Sequence, residues 1–320
     1  MEVRPIVPGT PRIVSFTNQK GGVGKTTTSV NLAAALALRG HRVLVVDVDP
    51  QSNATTGLGI DHRALEASTY DLMVNGVVLQ DLVRPTGIKG LDCVPSSPDL
   101  AGAEIELVEV ALRERRLAEA LDGSVSGYDL VFLDCPPSLG LLTVNALAAA
   151  QDLIVPVQCE YYALEGLGQL MGTAERVQAG LNEDLRIAGF VLTMYDARTR
   201  LASQVADEVR SHFGETVFET VVPRSVRLSE APSFGEPVLT LDPSSRGALS
   251  YRLLAGEFES RFALTTHVPV PPPSKPNPLS EKPVVRTTSP GPGGRGYGVT
   301  APPPGDLEAA WPQGQPWRNR

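Results

Sequence analysis

Cysteine is scarce: Cys93, Cys135 and Cys159 are the only three in 320 residues. They are too scattered, and odd in number, for a disulfide framework, which predicts reduced thiols of the kind a cytosol keeps. The four histidines, His41, His62, His212 and His267, have no metal-ligand spacing. Nowhere do roughly eighteen uncharged apolar residues follow one another, and residues 1–11 lack the basic start and apolar run of an export signal. A secreted or membrane-spanning protein is not expected. Basic charge is short as well, with 28 Lys and Arg against 36 Asp and Glu and a net charge of −8. Coating nucleic acid by overall attraction needs the opposite balance, so any nucleic-acid contact must be local. What the chain does have, 42% hydrophobic and 20% charged residues, is the composition of a globular protein with a sizeable core.

Apolar runs rich in Val, Ile and Leu recur at 12–17, 42–47, 91–95, 128–134, 152–157, 187–194 and 217–222. They predict strands buried on both faces. Between them, helical spacing predicts helices over 25–39, 98–121, 139–149, 165–180 and 202–213, and a last one over 244–262 capped by Ser244 or Ser245. Strand alternating with helix predicts an α/β fold, a mostly parallel sheet with helices on both faces. The expected organisation is a flexible N-terminus at 1–11, one domain at 12–262 and a Pro/Gly-rich disordered tail at 263–320. That tail holds 14 of the 28 prolines and six Lys or Arg against three acids. Its composition cannot bury enough apolar surface to fold. A solvated tail and a recognition role for its proline runs both stay open.

The first predicted strand runs into a glycine-rich turn and then a helix: Asn18-Gln19-Lys20-Gly21-Gly22-Val23-Gly24-Lys25-Thr26-Thr27. Glycines let successive N–H groups point inward around phosphates, and the helix N-terminus adds partial positive charge. Lys25 can reach the β and γ phosphates, and the Thr26 hydroxyl can ligate magnesium. The strict G-x-x-x-x-G-K-[ST] pattern fails at its first glycine, where Gln19 stands, and a second lysine, Lys20, follows. Two more segments end strands with carboxylates. Asp47 and Asp49 close the second strand, where they can orient a water or hold magnesium through water. Asp134 closes another, as a Walker B aspartate would.

Residues 20–27 resemble the deviant Walker A motif of the P-loop NTPases that include ParA and Soj partition ATPases, MinD and the nitrogenase iron protein. The resemblance to the ParA/Soj branch extends over about 12–262. It is carried by Asp49-Pro50-Gln51-Ser52-Asn53-Ala54-Thr55, Asp134-Cys135-Pro136-Pro137-Ser138-Leu139-Gly140, Leu192-Thr193-Met194-Tyr195-Asp196-Ala197-Arg198-Thr199 and Val222-Pro223-Arg224-Ser225-Val226-Arg227-Leu228-Ser229-Glu230-Ala231-Pro232-Ser233. The resemblance implies an ATPase that binds ATP and Mg2+ through Lys20, Gly21, Gly22, Val23, Gly24, Lys25, Thr26 and Thr27. In it, Thr26 and Asp134 hold magnesium, the latter through water; Asp49 positions the attacking water with Asp47 in support, and Lys20 reaches the nucleotide of a second subunit. Pro223 and Ser225 line the adenine, Ser225 standing where Asn is usual.

The same resemblance implies a homodimer formed with ATP, nonspecific binding of double-stranded DNA, and stimulation by a ParB-type centromere-binding partner, in a cytoplasmic, nucleoid-associated protein. By position the DNA contacts are Arg198 and Arg227, with Arg200, Arg224, Arg246 and Arg252 behind them. Composition gives no basic patch, since 186–261 holds nine arginines against ten acids. A MinD-type membrane protein would end in a basic amphipathic helix, which a Pro-rich end cannot form. An iron–sulfur relative would need cluster cysteines, and no C-x-x-C is present. A tyrosine-kinase relative would carry a C-terminal tyrosine cluster, against a lone Tyr297 in the tail. The alternative is a MinD-like or orphan positioning ATPase whose cargo is not a chromosome.

Overall fold

The structure, a computed structural model, describes residues 11–160 and 165–264. The expected flexible N-terminus, save Pro11, and the expected tail from residue 265 onward lie outside the described residues.

Strands β1 (Arg12–Phe16), β2 (Val43–Asp47), β3 (Arg84–Pro85), β4 (Leu91–Val94), β5 (Leu130–Asp134), β6 (Asp152–Gln158) and β7 (Arg186–Thr193) form one sheet in the order β3-β4-β2-β5-β1-β6-β7. All pairings are parallel except the short β3–β4 pair. The sheet order places β1 in the interior, flanked by β5 and β6.

Alternation of side chains along each strand explains why these runs are apolar throughout. On β2, Leu44 and Val46 enter one core and Val43 and Val45 the other. On β1, Ile13 joins the first core while Val14 and Phe16 join the second. The second core is covered by α1 (Lys25–Leu38) and the last helix, Arg246–Phe262, through Leu32, Leu36, Tyr251, Leu254 and Phe258. The helix Leu141–Ala149, Glu165–Gly180 and Arg200–Phe213 cover the first. On Glu165–Gly180 the buried Leu167, Leu170, Ala174 and Val177 recur at helical spacing, a stripe that lies flat on the sheet. Layers of helix, sheet and helix follow, as expected.

The N-cap of the last helix is Ser245, whose side chain accepts from the Ala248 N–H. Ion pairing ties β1 to the far side of the sheet: Asp152 on β6 is buried between Arg12 of β1 and Arg186 of β7.

Two expected elements differ. The run 217–222 is not a strand; Val217 makes an isolated bridge with Phe190 of β7, and just past the run Pro223 bridges Tyr195. Its middle leaves the ladder because the Glu257 carboxylate takes the N–H groups of Glu219 (2.7 Å) and Thr220 (2.9 Å). The helix expected over 98–121 is broken into Leu100–Glu106 and Arg116–Leu121. Between them Val110 is extended and Leu112 adopts a left-handed φ of 55°, a conformation no helix continues through.

Candidate functional site

The loop between β1 and α1 is built by backbone demands that its sequence meets. Gly22 and Gly24 have φ of 72° and 86°, values costly for any residue with a Cβ, and Gly24 caps α1. The loop is moored on its β6 and β7 side. Asn18 Nδ2 donates to the Pro156 carbonyl at 2.8 Å, and Thr193 Oγ1 donates to the Val23 carbonyl at 2.7 Å. Four N–H groups open at the start of any helix, and here the glycine loop leads straight to them.

Lys25, the first residue of α1, is buried, and its ammonium lies 3.5 Å from the Lys20 carbonyl. Burial lowers its pKa, against the charges of Asp134 and Asp49 that raise it. An ammonium so placed gains from any anion that enters the loop. Lys20 is half-buried and Gly21 and Gly22 are exposed.

Asp134, at the end of β5, receives two hydroxyls from α1: Thr26 Oγ1 at 2.7 Å on one oxygen and Ser29 Oγ at 2.8 Å on the other. It is fully buried and opposite Asp47 in the β2–β5 register. Asp47 is held in turn by the Thr55 N–H and hydroxyl (2.8 and 2.7 Å) and by the Asp49 N–H (3.1 Å). Burial first, and then the charge of Asp134, push Asp47 up to about 8; burial pushes Asp134 up to about 6 against its two hydroxyl bonds. Asp49 is also buried and raised by desolvation, with its carboxylate accepting from the Gln51 N–H at 3.0 Å. Two facing carboxylates beside a buried ammonium form a site that a hard divalent cation would relieve, and its oxygen donors suit magnesium. Among the described residues no cluster of three or more His, Cys, Asp or Glu could hold a metal.

Beside Thr26 and Thr27 opens a cavity of about 200 Å³, lined also by Val30, Asn31, Asn53, Ala231, Pro232 and Glu236. Pro223 and Ser225, expected at the adenine, are half-buried and do not line it. They sit instead beside the end of β7, where the Tyr195–Pro223 bridge and the Arg224 N–H to the Tyr195 carbonyl (3.0 Å) join the two loops. The same junction brings the Arg198 and Arg227 segments side by side. Arg198 is 87% exposed at its side chain and paired with Asp196, whereas Arg227 is paired with both Glu230 and Asp242. Arg224 is paired with Glu160, so these arginines carry their own counter-charges.

The supporting residues that spacing alone did not single out are Ser29, Thr55, Asn18 and Thr193. Ser29 was legible in principle, being one turn along α1 from Thr26 and so on the same face. Thr55 was not, because only the fold brings it to Asp47. All three cysteines are free and buried, and burial pushes Cys135 up to about 12 and Cys159 to about 11. Among the described residues no helix is long and apolar enough to cross a membrane.

A glycine loop running from an interior strand into a lysine-headed helix, with a carboxylate on the neighbouring strand end, is the P-loop NTPase arrangement, here in the deviant form with a lysine at position 20. Known sequences narrow it. A family model described as an AAA domain matches residues 11–187. Soj, the sporulation initiation inhibitor protein of Bacillus subtilis, is 56% identical over 246 residues, 77% of this chain and 97% of that protein. The chromosome partitioning protein ParA of Myxococcus xanthus is 52% identical over 250 residues, 78% of this chain and 88% of that one. The chain belongs to the ParA/Soj family of chromosome-partitioning proteins. Among solved structures it resembles one described as cobyrinic acid a,c-diamide synthase from Mycobacterium smegmatis with bound ADP and magnesium. That likeness has 37% identity and a TM-score of 0.71, over 80% of this chain and 96% of that one.

Proposed function

We propose that the chain is an ATPase that partitions a chromosome or plasmid. The observation that carries the reading is the convergence of Thr26 and Ser29 of α1 on Asp134, beside the buried Lys25 ammonium. In this reading ATP lies in the loop 20–27, with Lys25 against its β and γ phosphates and the α1 N-terminus beneath them. Thr26 and Asp134 hold magnesium, the latter through water. The cation, when bound, screens charge between the terminal phosphates.

Asp49 orients the attacking water and Asp47 fixes Asp49, since Asp47 accepts the Asp49 N–H. Phosphoryl transfer asks little covalent chemistry of a protein, so placing charge around the γ-phosphate supplies most of the rate. Lys20 completes that charge from a second copy, which makes a nucleotide-bridged homodimer the hydrolytic species. Gly21 fits such a face: it is exposed, and only Pro137, 3.9 Å from where its Cβ would stand, is near. Pro223 and Ser225 take the base. Through Arg198 and Arg227 the dimer binds duplex DNA without sequence preference, and a ParB-type partner stimulates hydrolysis and releases it. The name of the Myxococcus relative, a chromosome partitioning protein, supports partition as the cargo-moving role.

DNA binding measured with ATP, with ADP and without nucleotide tests the whole reading. Binding with ATP alone is expected; equal binding in all three states, or none in any, would overturn it.

A further inference from the structure

Lys20 combines a held main chain with a free side chain. Its N–H donates to Asn18 Oδ1 at 3.0 Å, and its carbonyl lies 3.5 Å from the Lys25 ammonium. The Lys20 ammonium itself forms no hydrogen bond or ion pair with a described residue. The two residues that follow cannot stiffen it. Gly21 and Gly22 are exposed, and without side chains they neither restrict the backbone nor pack it against a neighbour. Gln19, just before, is half-buried, and its side chain has no hydrogen bond to a described residue. The orientation of Lys20 is therefore set from further back, at Asn18.

Asn18 is 3% exposed and uses both ends of its amide. Nδ2 donates to the Pro156 carbonyl of β6 at 2.8 Å while Oδ1 takes the Lys20 N–H. The main-chain ladder from β1 to β6 ends just before it, with the Thr17 N–H on the Ile154 carbonyl at 3.2 Å. The Asn18 side chain thus carries the rigidity of the sheet into the loop, past the last bond of the ladder. The Lys25 contact cannot do this once nucleotide is bound, because Lys25 then faces the β and γ phosphates. The Asn18 bond is the tether that stays.

We infer that Asn18 is a positioning residue for hydrolysis: by holding the Lys20 N–H, it aims the Lys20 side chain at the nucleotide of a second copy. The inference rests on the proposed role of Lys20 across the dimer. A lysine is a point charge on a flexible four-carbon stem, so its effect on a phosphate depends on where the stem begins. Misplacing a group by about 1 Å can cost roughly a hundredfold in rate. Loss of Asn18 harms the partner's site and spares its own. In its own chain the loop keeps the mooring of Val23 by Thr193, so ATP binding survives.

The test uses variants of the full chain. Asn18→Ala should bind a fluorescent ATP analogue within about threefold of the parent and keep its KM, while kcat falls at least about tenfold. Mixing gives a readout that a merely structural role would not move. When Asn18→Ala and Asp49→Ala are combined before ATP is added, mixed dimers form. In these the Asn18→Ala chain keeps its own Asp49 and receives a correctly held Lys20. The mixture should hydrolyse ATP at least about threefold faster than the two proteins measured separately and summed. Lys20→Ala mixed with Asp49→Ala is run alongside and should be rescued in the same way. If Lys20→Ala is rescued and Asn18→Ala is not, Asn18 only supports its own loop and the inference is wrong. Parental turnover in Asn18→Ala, or an ATP affinity that falls as far as its turnover, overturns it as well. If Lys20→Ala is not rescued, the role of Lys20 across the dimer is what fails, and the inference falls with it. Asn18→Ser keeps a shorter oxygen that can take an N–H two residues on, so it should lose less turnover than Asn18→Ala. It carries the same mixing test if Asn18→Ala does not fold.

Discussion

Thr26 and Asp134 share a 2.7 Å hydrogen bond between the first turn of α1 and the end of β5. It turns the hydroxyl proton to the carboxylate and leaves the Thr26 oxygen's lone pairs for a cation, before any ligand arrives. Preorganisation of this kind lowers the cost of binding, because few groups must be reoriented.

Lys25 is buried with the Lys20 carbonyl, 3.5 Å away, as its polar contact. Replacing it with Ala removes the one buried cation that can face the terminal phosphates. Lys25→Ala is expected to weaken ATP at least about a hundredfold, roughly 2.7 kcal/mol. Titration with a fluorescent ATP analogue checks this, and parental affinity would sink the assignment.

Asp49 and Gly21 separate the later steps. Asp49→Ala should keep ATP affinity within a few-fold, lose at least about a hundredfold in hydrolysis, and accumulate a dimer on size-exclusion chromatography. Gly21→Val meets no steric bar within one chain, since the nearest atom to a Cβ lies at 3.9 Å and the φ there is not left-handed. It should therefore fold and bind ATP yet stay monomeric. A monomeric Asp49→Ala protein, or a dimeric Gly21→Val protein, would contradict the assigned roles.

Asp134 and Asp47 make the nucleotide-free protein sensitive to pH. Both folded-state pKa values are raised, to about 6 and about 8, above the unfolded carboxylate value. The native state thus binds protons more readily than the unfolded chain. The stabilising contribution is complete below about pH 4 and is lost as pH rises through about 6 and then 8. The Asn side chain at 134 keeps polar partners in Thr26 and Ser29 and removes one of the two facing charges. Denaturant melts of Asp134→Asn and the parent, without nucleotide, should show the variant gaining on the parent by roughly 1 kcal/mol or more between pH 5 and pH 8. A constant difference across that range would refute the charge coupling.

Arg198 is 87% exposed with Asp196 as its ion-pair partner, so reversing its charge costs the fold little. Arg198→Glu and Arg227→Glu, each in an Asp49→Ala background, should remove DNA binding and leave ATP-dependent dimerisation in place. In the parent dimer, affinity for unrelated duplexes should be alike and should fall steeply with salt, because phosphate contacts release counterions. Two copies on one surface bind bivalently, which is how a few arginines could suffice in a protein of net charge −8. Unchanged affinity and salt slope in both variants would move the DNA surface elsewhere.

The loop at 20–27 was legible because its requirements are local: glycines at φ 72° and 86° and a helix start directly after them. Strands β1, β2 and β5 were legible because burial on both faces leaves an unbroken apolar run. The segment 217–222 shares that composition but is not a strand. Its fate is decided by the Glu257 carboxylate, far along the chain. The break in 98–121 rests on the left-handed Leu112, which no glycine announces. Thr55 behind Asp47 likewise depends on tertiary placement, although the stretch containing it was recognisable by resemblance.

Glu257 and Pro85 also settle how this sheet meets its neighbours. At one margin β3 is two residues long and ends in a proline that has no N–H to give. At the other, the segment beside β7 has two of its amides already claimed by a carboxylate. Neither border offers a long row of free donors and acceptors on which another chain could add a strand. A protein proposed to bind duplex DNA as a dimer can thus be crowded there without its sheets fusing edge to edge.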